Sequence, residues 1–224
     1  MAPNLFRVFS SSVGTKVLLG ATGLLLVTYM VLHLVGNVLV FLGRDTFNEY
    51  SHMLVSNPLI VPIEIGLLLV LLVHIYKAVT MWIQNKAARP VRYQKKELAR
   101  HTSRKSLASS TMIASGLIVM VFIVIHVKQF KFGTVYLASG SATVRDLYRT
   151  EIEVFRNPLW VGLYVIATLL VGLHMRHGVS SAFQSLGLDH RRYTRRIVAV
   201  GIAVSIVVGG GLALIPIWAY FTHY

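Results

Sequence analysis

Cysteine is absent from the 224 residues. A chain without a thiol forms no disulfide, holds no cysteine-ligated iron–sulfur cluster, and cannot attach haem through a C-x-x-C-H motif. Any cofactor must be held by other side chains. Charge is also scarce. Only 13% of residues are Asp, Glu, Lys or Arg, against roughly 25% in a soluble domain. That supply cannot cover a water-facing surface, which excludes an ordinary soluble globular protein, a disordered chain and a coiled coil. Negative charge is scarcest: 8 Asp+Glu stand against 22 Lys+Arg, for a net charge of +14. In a chain that is 55% hydrophobic, this basic excess points to a membrane surface and away from nucleic acid.

Long apolar runs are what the chain has in quantity. A spanning helix needs about 20 mostly apolar residues. The segments Val17–Leu42, Leu59–Ile83, Leu107–Val127, Leu159–Ala182 and Ile197–Phe221 all meet that requirement. The first is too long for a signal-peptide core, and no small-residue cleavage site follows it. The fifth contains Gly209-Gly210-Gly211 and Pro216, which neighbouring helices can accommodate in lipid. The sequence therefore predicts an all-α integral membrane bundle of five spans, forming a single domain over residues 1–224 with no evident internal repeat.

Charge orients the bundle. The 85–106 stretch carries Lys86, Arg89, Arg92, Lys95, Lys96, Arg100, Arg104 and Lys105, opposed by Glu97 alone. Arg191, Arg192, Arg195 and Arg196 follow the fourth span, and Arg7 and Lys16 precede the first. The opposite side is nearly balanced. Cytoplasmic loops carry the excess of Lys and Arg, so the N-terminus is expected in the cytoplasm and the C-terminus outside. The long outer loop from Lys128 to Asn157 is expected to hold a short surface helix over Val144–Phe155.

Of nine histidines, four fall one per span on the first four spans: His33, His74, His126 and His174. Ionisable residues inside a span are costly and mark candidate functional sites. At 1.5 Å per residue, His33 lies roughly 16 Å from the outer boundary at Arg44, and His126 within about 8 Å of the same boundary at Lys128. His74 and His174 each lie about 24 Å below the proline that opens their span, Pro58 or Pro158. Two are thus shallow from outside and two deep. Facing imidazoles on different helices at matched depth are the ligand set for b-type haem. The expected pairs are His33 with His126 and His74 with His174. Gly36, Gly116, Gly172 and Gly178 would admit the flat macrocycle. Such histidines also serve as helix-to-helix hydrogen bonds or proton relays, so a haem-free anchor or transporter is the alternative.

Three stretches carry a resemblance. Gly20-Ala-Thr-Gly23 leads to His33-Leu-Val-Gly-Asn37. Asp45-Thr-Phe-Asn-Glu-Tyr-Ser-His52 follows. Gly172-Leu-His-Met-Arg-His-Gly178 runs into Ser181-Ala-Phe-Gln-Ser-Leu-Gly187. Over its whole length the chain resembles the cytochrome b membrane-anchor subunit of succinate:quinone oxidoreductases, in the single-chain, five-helix, di-haem form of bacterial succinate dehydrogenases and fumarate reductases. The resemblance implies two haem b groups, an outer one on His33 and His126 and an inner one on His74 and His174. His177 competes with His174, and family spacing favours His174. It implies a flavoprotein partner with FAD and an iron–sulfur partner on the cytoplasmic face, docked on the basic 85–106 and 190–196 loops. Membrane quinone, either menaquinone or ubiquinone, would be the electron acceptor, with succinate oxidation favoured over the fumarate-reducing direction. The bacterial cytoplasmic membrane is the implied location.

Further candidates come from the residues themselves. Glu64 lies in the outer part of the second span and could serve a quinone site by moving protons, or could bond a neighbouring helix at the interface. Ser11, Ser12, Lys16, Arg104, Lys105, Arg176 and His177 are candidates for propionate or quinone contacts on the inner side, or for contacts to lipid head groups. Some fumarate reductases of this family carry a proton-moving glutamate two residues before the last haem ligand. Here that position is Gly172, so that route is expected to be absent.

Overall fold

The computed structural model describes residues 11–88, 111–188, 190 and 192–222. Arg104 and Lys105, and most of the basic 85–106 loop, lie outside the described residues. Five helices are long and apolar enough to cross a membrane: α1 (Ser12–Asn37), α3 (Ile60–Ala87), α4 (Met112–Phe130), α6 (Pro158–Ser185) and α7 (Thr194–Thr222). Among the described residues, two shorter helices, α2 (Arg44–Ser56) and α5 (Leu147–Phe155), accompany them. The chain is a multi-pass, all-α membrane protein. The end bearing α2 and α5 is called the outer end, following the charge asymmetry.

Side-chain caps set several boundaries. The Ser11 hydroxyl accepts from Gly14 N–H at 3.0 Å, so α1 begins before the apolar run does. Asp146 accepts from Arg149 N–H at 3.1 Å and starts α5 at Leu147, three residues later than expected. Asn57 and Asn157 each accept from the N–H two residues on, Leu59 and Leu159, at 2.9 Å. Each asparagine thus supplies an acceptor where a helix begins with unpaired donors. Gly43, at φ 101°, takes the left-handed turn that separates the 3₁₀ extension of α1 (Val38–Leu42) from α2. The helix α2 was not anticipated. It is short and mostly polar, and buries only Phe47 and Asn48.

Packing is densest where small residues let backbones meet. A Cβ on Gly172 of α6 would lie 2.9 Å from the Ser205 carbonyl oxygen and 3.2 Å from Gly209 Cα of α7. One on Gly209 would lie 3.0 Å from Gly172 Cα. Close crossing on small residues is how helices associate in lipid, where no water-driven force pushes them together. Gly172 therefore serves the α6–α7 crossing, and no glutamate side chain would fit there. One hydrophobic cluster runs from this crossing to the outer end, where it buries Val40, Phe47, Ile152, Phe155, Tyr164 and Ile215.

Two outcomes follow. Gly172→Ala and Gly209→Ala force backbone apart and should each cost roughly 1–3 kcal/mol, read as a lower melting temperature of the detergent-solubilised protein. The cysteine-free chain also permits a direct topology test. A cysteine introduced at Ser139, between α4 and α5, should react with an impermeant maleimide on intact cells. One at Asn85, near the end of α3, should react only after lysis.

Candidate functional site: two imidazole pairs

The helices bring the four span histidines together two by two. His33 of α1 and His126 of α4 have ring centroids 5.7 Å apart with planes at 86°. With metal–imidazole bonds of about 2 Å, two rings bridged by one ion stand roughly 6 Å apart, so the separation suits a shared metal. Aromatic rings wall this outer pair. Tyr29 stacks on His33 at 5.5 Å, while Phe122, Phe130 and Tyr164 surround His126 at 5.8, 5.2 and 6.0 Å. The Tyr164 hydroxyl donates to Gln129 Oε1 at 2.5 Å, joining α6 to α4 beside the pair. His126 Nδ1 is buried without a hydrogen-bond partner. A buried unpaired nitrogen is costly and marks a site where a bonding partner is due.

The inner pair is held differently. His74 of α3 and His174 of α6 lie within electrostatic reach of one another. Thr22 Oγ1 on α1 stands 3.1 Å from His74 Nδ1, and Ser115 Oγ on α4 stands 3.1 Å from His174 Nδ1. Both hydroxyls also stand within donating distance of a carbonyl of their own helix, Thr22 of Leu18 at 2.7 Å and Ser115 of Met112 at 3.1 Å. A hydroxyl that donates there can only accept from the ring. An imidazole bonded in that way carries its proton on Nδ1 and leaves Nε2 with a free lone pair, the form that binds a metal.

Glycines make room for these rings, but only some of the expected ones. A Cβ on Gly116 would lie 3.1 Å from His174 Cε1, and one on Gly23 would lie 3.3 Å from His74 Cε1. Gly23 was not singled out as a packing position by the sequence. Gly36 instead accommodates Tyr50, which a Cβ would meet at 2.9 Å, and Gly172 serves α7. Gly178 faces open space.

The remaining candidates are scattered. Glu64 forms an ion pair with Lys131, just beyond α4, with its side chain 43% exposed. It also lies within electrostatic reach of Tyr29, at the rim of the outer pair. Lys16 and Arg176 are exposed, and Ser11 is a helix cap. Ser12 is exposed in the first turn of α1. His177 is half-buried and within electrostatic reach of His174. Among the described residues, no group of three or more His, Asp or Glu converges on one point, so the candidate sites are pairs.

Sequence reasoning missed a polar clasp at the outer end. The Asp146 carboxylate is buried and accepts from Arg44 Nη2 at 2.6 Å and Asn48 Nδ2 at 2.8 Å. Asn48 Oδ1 in turn accepts from Tyr148 N–H at 3.0 Å. Burial alone would raise the Asp146 pKa, but donation from Arg44, Asn48 and the Arg149 N–H outweighs it and holds the carboxyl below the usual carboxylate range. One turn along α5, Glu151 is buried without such donors, and burial pushes it up to about 8. Nothing in the alternation of the outer loop separates this glutamate from its half-buried neighbour Glu153. Comparisons with protein-family models, curated proteins and solved structures find no match to the chain.

The two carboxyls act oppositely on stability. Between the unfolded carboxyl value, about 4.3, and about 8, the folded chain holds one more proton at Glu151 than the unfolded chain does. Stability therefore falls as pH rises through that window. Glu151→Gln should flatten this slope and raise the melting temperature most at pH 8 and above. Asp146 contributes at neutral pH and loses its contribution as pH falls below the usual carboxylate value, so Asp146→Asn should lower the melting temperature at pH 7 and matter least in acid.

Proposed function

We propose that this chain is a membrane cytochrome b. Two b haems would be held between His33 and His126 near the outer end and between His74 and His174 near the inner end. The single observation that carries this is the pairing of the four span histidines, two by two, across four helices. The donor set fits the group. The outer pair has a metal-spanning separation and an unpartnered buried nitrogen, and the inner pair meets a hydroxyl at each Nδ1 beside glycines that clear its rings. Haem held by these two imidazole pairs would supply one-electron exchange.

The chain's own residues do the rest. Thr22 and Ser115 orient the inner imidazoles. Tyr29, Phe122, Phe130 and Tyr164 give the outer pair a low-dielectric wall that excludes water. Lys16, Arg176 and His177 stand at the inner end, where a cation can neutralise a propionate; Arg104 and Lys105 remain candidates for the same work. The Glu64–Lys131 pair beside Tyr29 offers a carboxyl and an ammonium at the rim of the outer site. Those groups can bond a quinone carbonyl and exchange its proton.

The role we infer is that of the electron-transfer anchor of a succinate:quinone oxidoreductase in a bacterial cytoplasmic membrane. A flavoprotein and an iron–sulfur partner would dock on the basic cytoplasmic loops and pass electrons toward quinone. The resemblance in the His174–Gly187 stretch supports this reading. So does the lack of cysteine, which leaves iron–sulfur chemistry to a partner.

The test is a dithionite-reduced minus oxidised spectrum with a pyridine haemochrome assay on the purified chain. Two b haems per chain are expected, and single alanine variants at His33, His74, His126 and His174 should each lose one. A colourless, intact preparation would remove the cytochrome reading in favour of a haem-free anchor or proton relay.

A further inference from the structure

The inner histidine seats are alike in more than their bond lengths. Aligned on the outer histidines, α1 reads Ala21-Thr-Gly-Leu24 before His33, and α4 reads Ala114-Ser-Gly-Leu117 before His126. In both helices the hydroxyl residue stands 11 positions before the histidine. The following spans match too. Asn57-Pro-Leu59 opens the run to His74, and Asn157-Pro-Leu159 the run to His174; in both the histidine comes 16 residues after the proline. The two asparagines make the same bond, to the N–H two residues on, at 2.9 Å. Each half thus runs hydroxyl–glycine, outer histidine, short outer helix, Asn-Pro-Leu, inner histidine. The repeat escapes a linear reading because the loops between its parts differ in length.

We infer that the chain carries one imidazole-seating device twice, and that Thr22 and Ser115 are positioning residues that hold His74 and His174 protonated at Nδ1 and bare at Nε2. Each seat lies on the first span of a half and receives the histidine of that half's second span. The glycine after each hydroxyl is part of the seat, since the Cβ distances of 3.3 and 3.1 Å leave no room for a methyl group without moving the ring. The hydroxyl supplies the bond and the glycine the approach. For His74, the Leu19 carbonyl faces the same ring as a second acceptor. The outer histidines sit on the seat-bearing helices themselves, and His126 Nδ1 has no acceptor. The device therefore distinguishes the inner pair from the outer one.

Free histidine side chains favour the Nε2–H form, so the seat reverses the ordinary tautomer and spares the metal that cost. A hydrogen bond from Nδ1–H also makes the imidazole a stronger electron donor, which favours the oxidised metal. This redox consequence rests on the haem reading above; the tautomer does not.

The experiment uses the full chain in detergent, as wild type, Thr22→Val, Ser115→Ala and the conservative variants Thr22→Ser and Ser115→Thr. On protein prepared without haem, ¹⁵N-histidine NMR should show His74 and His174 as Nδ1–H tautomers. Ser115→Ala should convert His174 alone; Thr22→Val should shift His74 alone, and only in part because the Leu19 carbonyl still faces that ring, while both conservative variants keep the wild-type form. On haem-loaded protein, redox titration should show the inner haem becoming easier to reduce by about tenfold, about 59 mV for one electron. The outer haem should stay unchanged, and the conservative variants should restore the wild-type value. Wild-type Nε2–H tautomers at both residues, or haem-loaded variants with both potentials unmoved, would overturn the seating role and leave the cytochrome reading intact. A chain that binds no haem but shows the Nδ1–H tautomers would do the reverse.

Discussion

A polar ring inside a lipid-embedded bundle has no water to bond to, so each nitrogen must find a partner or carry a desolvation cost. Four imidazoles on four spans impose that condition four times. The chain meets it for the inner pair with hydroxyls that already donate along their own helices. It meets it for the outer pair incompletely, by enclosing the rings in aromatic side chains and leaving one nitrogen of His126 without a bond. Helix placement follows from this requirement. α1 and α3 must cross where Thr22 can reach His74, and α4 and α6 where Ser115 can reach His174.

The second constraint is proximity of backbones. Because association in lipid gains nothing from excluding water, α6 and α7 meet on Gly172 and Gly209, with no side chain between them. A glutamate side chain at Gly172 would not fit without pushing the two helices apart. A packing role on one face of α6 and a proton route through that point would be mutually exclusive here. The span that carries His174 is thereby held from two sides, by α4 through a hydrogen bond and by α7 through bare backbone.

Much of this was legible in the sequence. Five spans could be counted because apolar runs near 20 residues have few other uses, and the depth of each histidine followed from helical rise. What stayed hidden depended on neighbours. Thr22 and Ser115 look like ordinary span hydroxyls bonding back to their own helix, and nothing local marks the imidazole each one also meets. Glu151 and Glu153 stand two apart on one short helix, and only tertiary packing decides which is buried. Gly36 and Gly116 both lie on spans that carry a histidine, yet one accommodates Tyr50 and the other His174. The helix α2 is hard to read from sequence because its amphipathic signal is short and the bonds that bury Asn48 come from the far half of the chain.

The clasp between α2 and α5 also sets an order of events during synthesis. Thr22 and His74 are 52 residues apart, and Ser115 and His174 are 59 apart, so each can meet as soon as its own hairpin has entered the membrane. Arg44 and Asp146 are 102 residues apart. At ribosomal rates of about 5–20 residues per second, Arg44 waits roughly 5–20 s for its carboxylate. Through that interval α2 rests only on its own half, with Tyr50 against Gly36. The clasp is thus a bond between the halves that the chain can form before the fourth span is made.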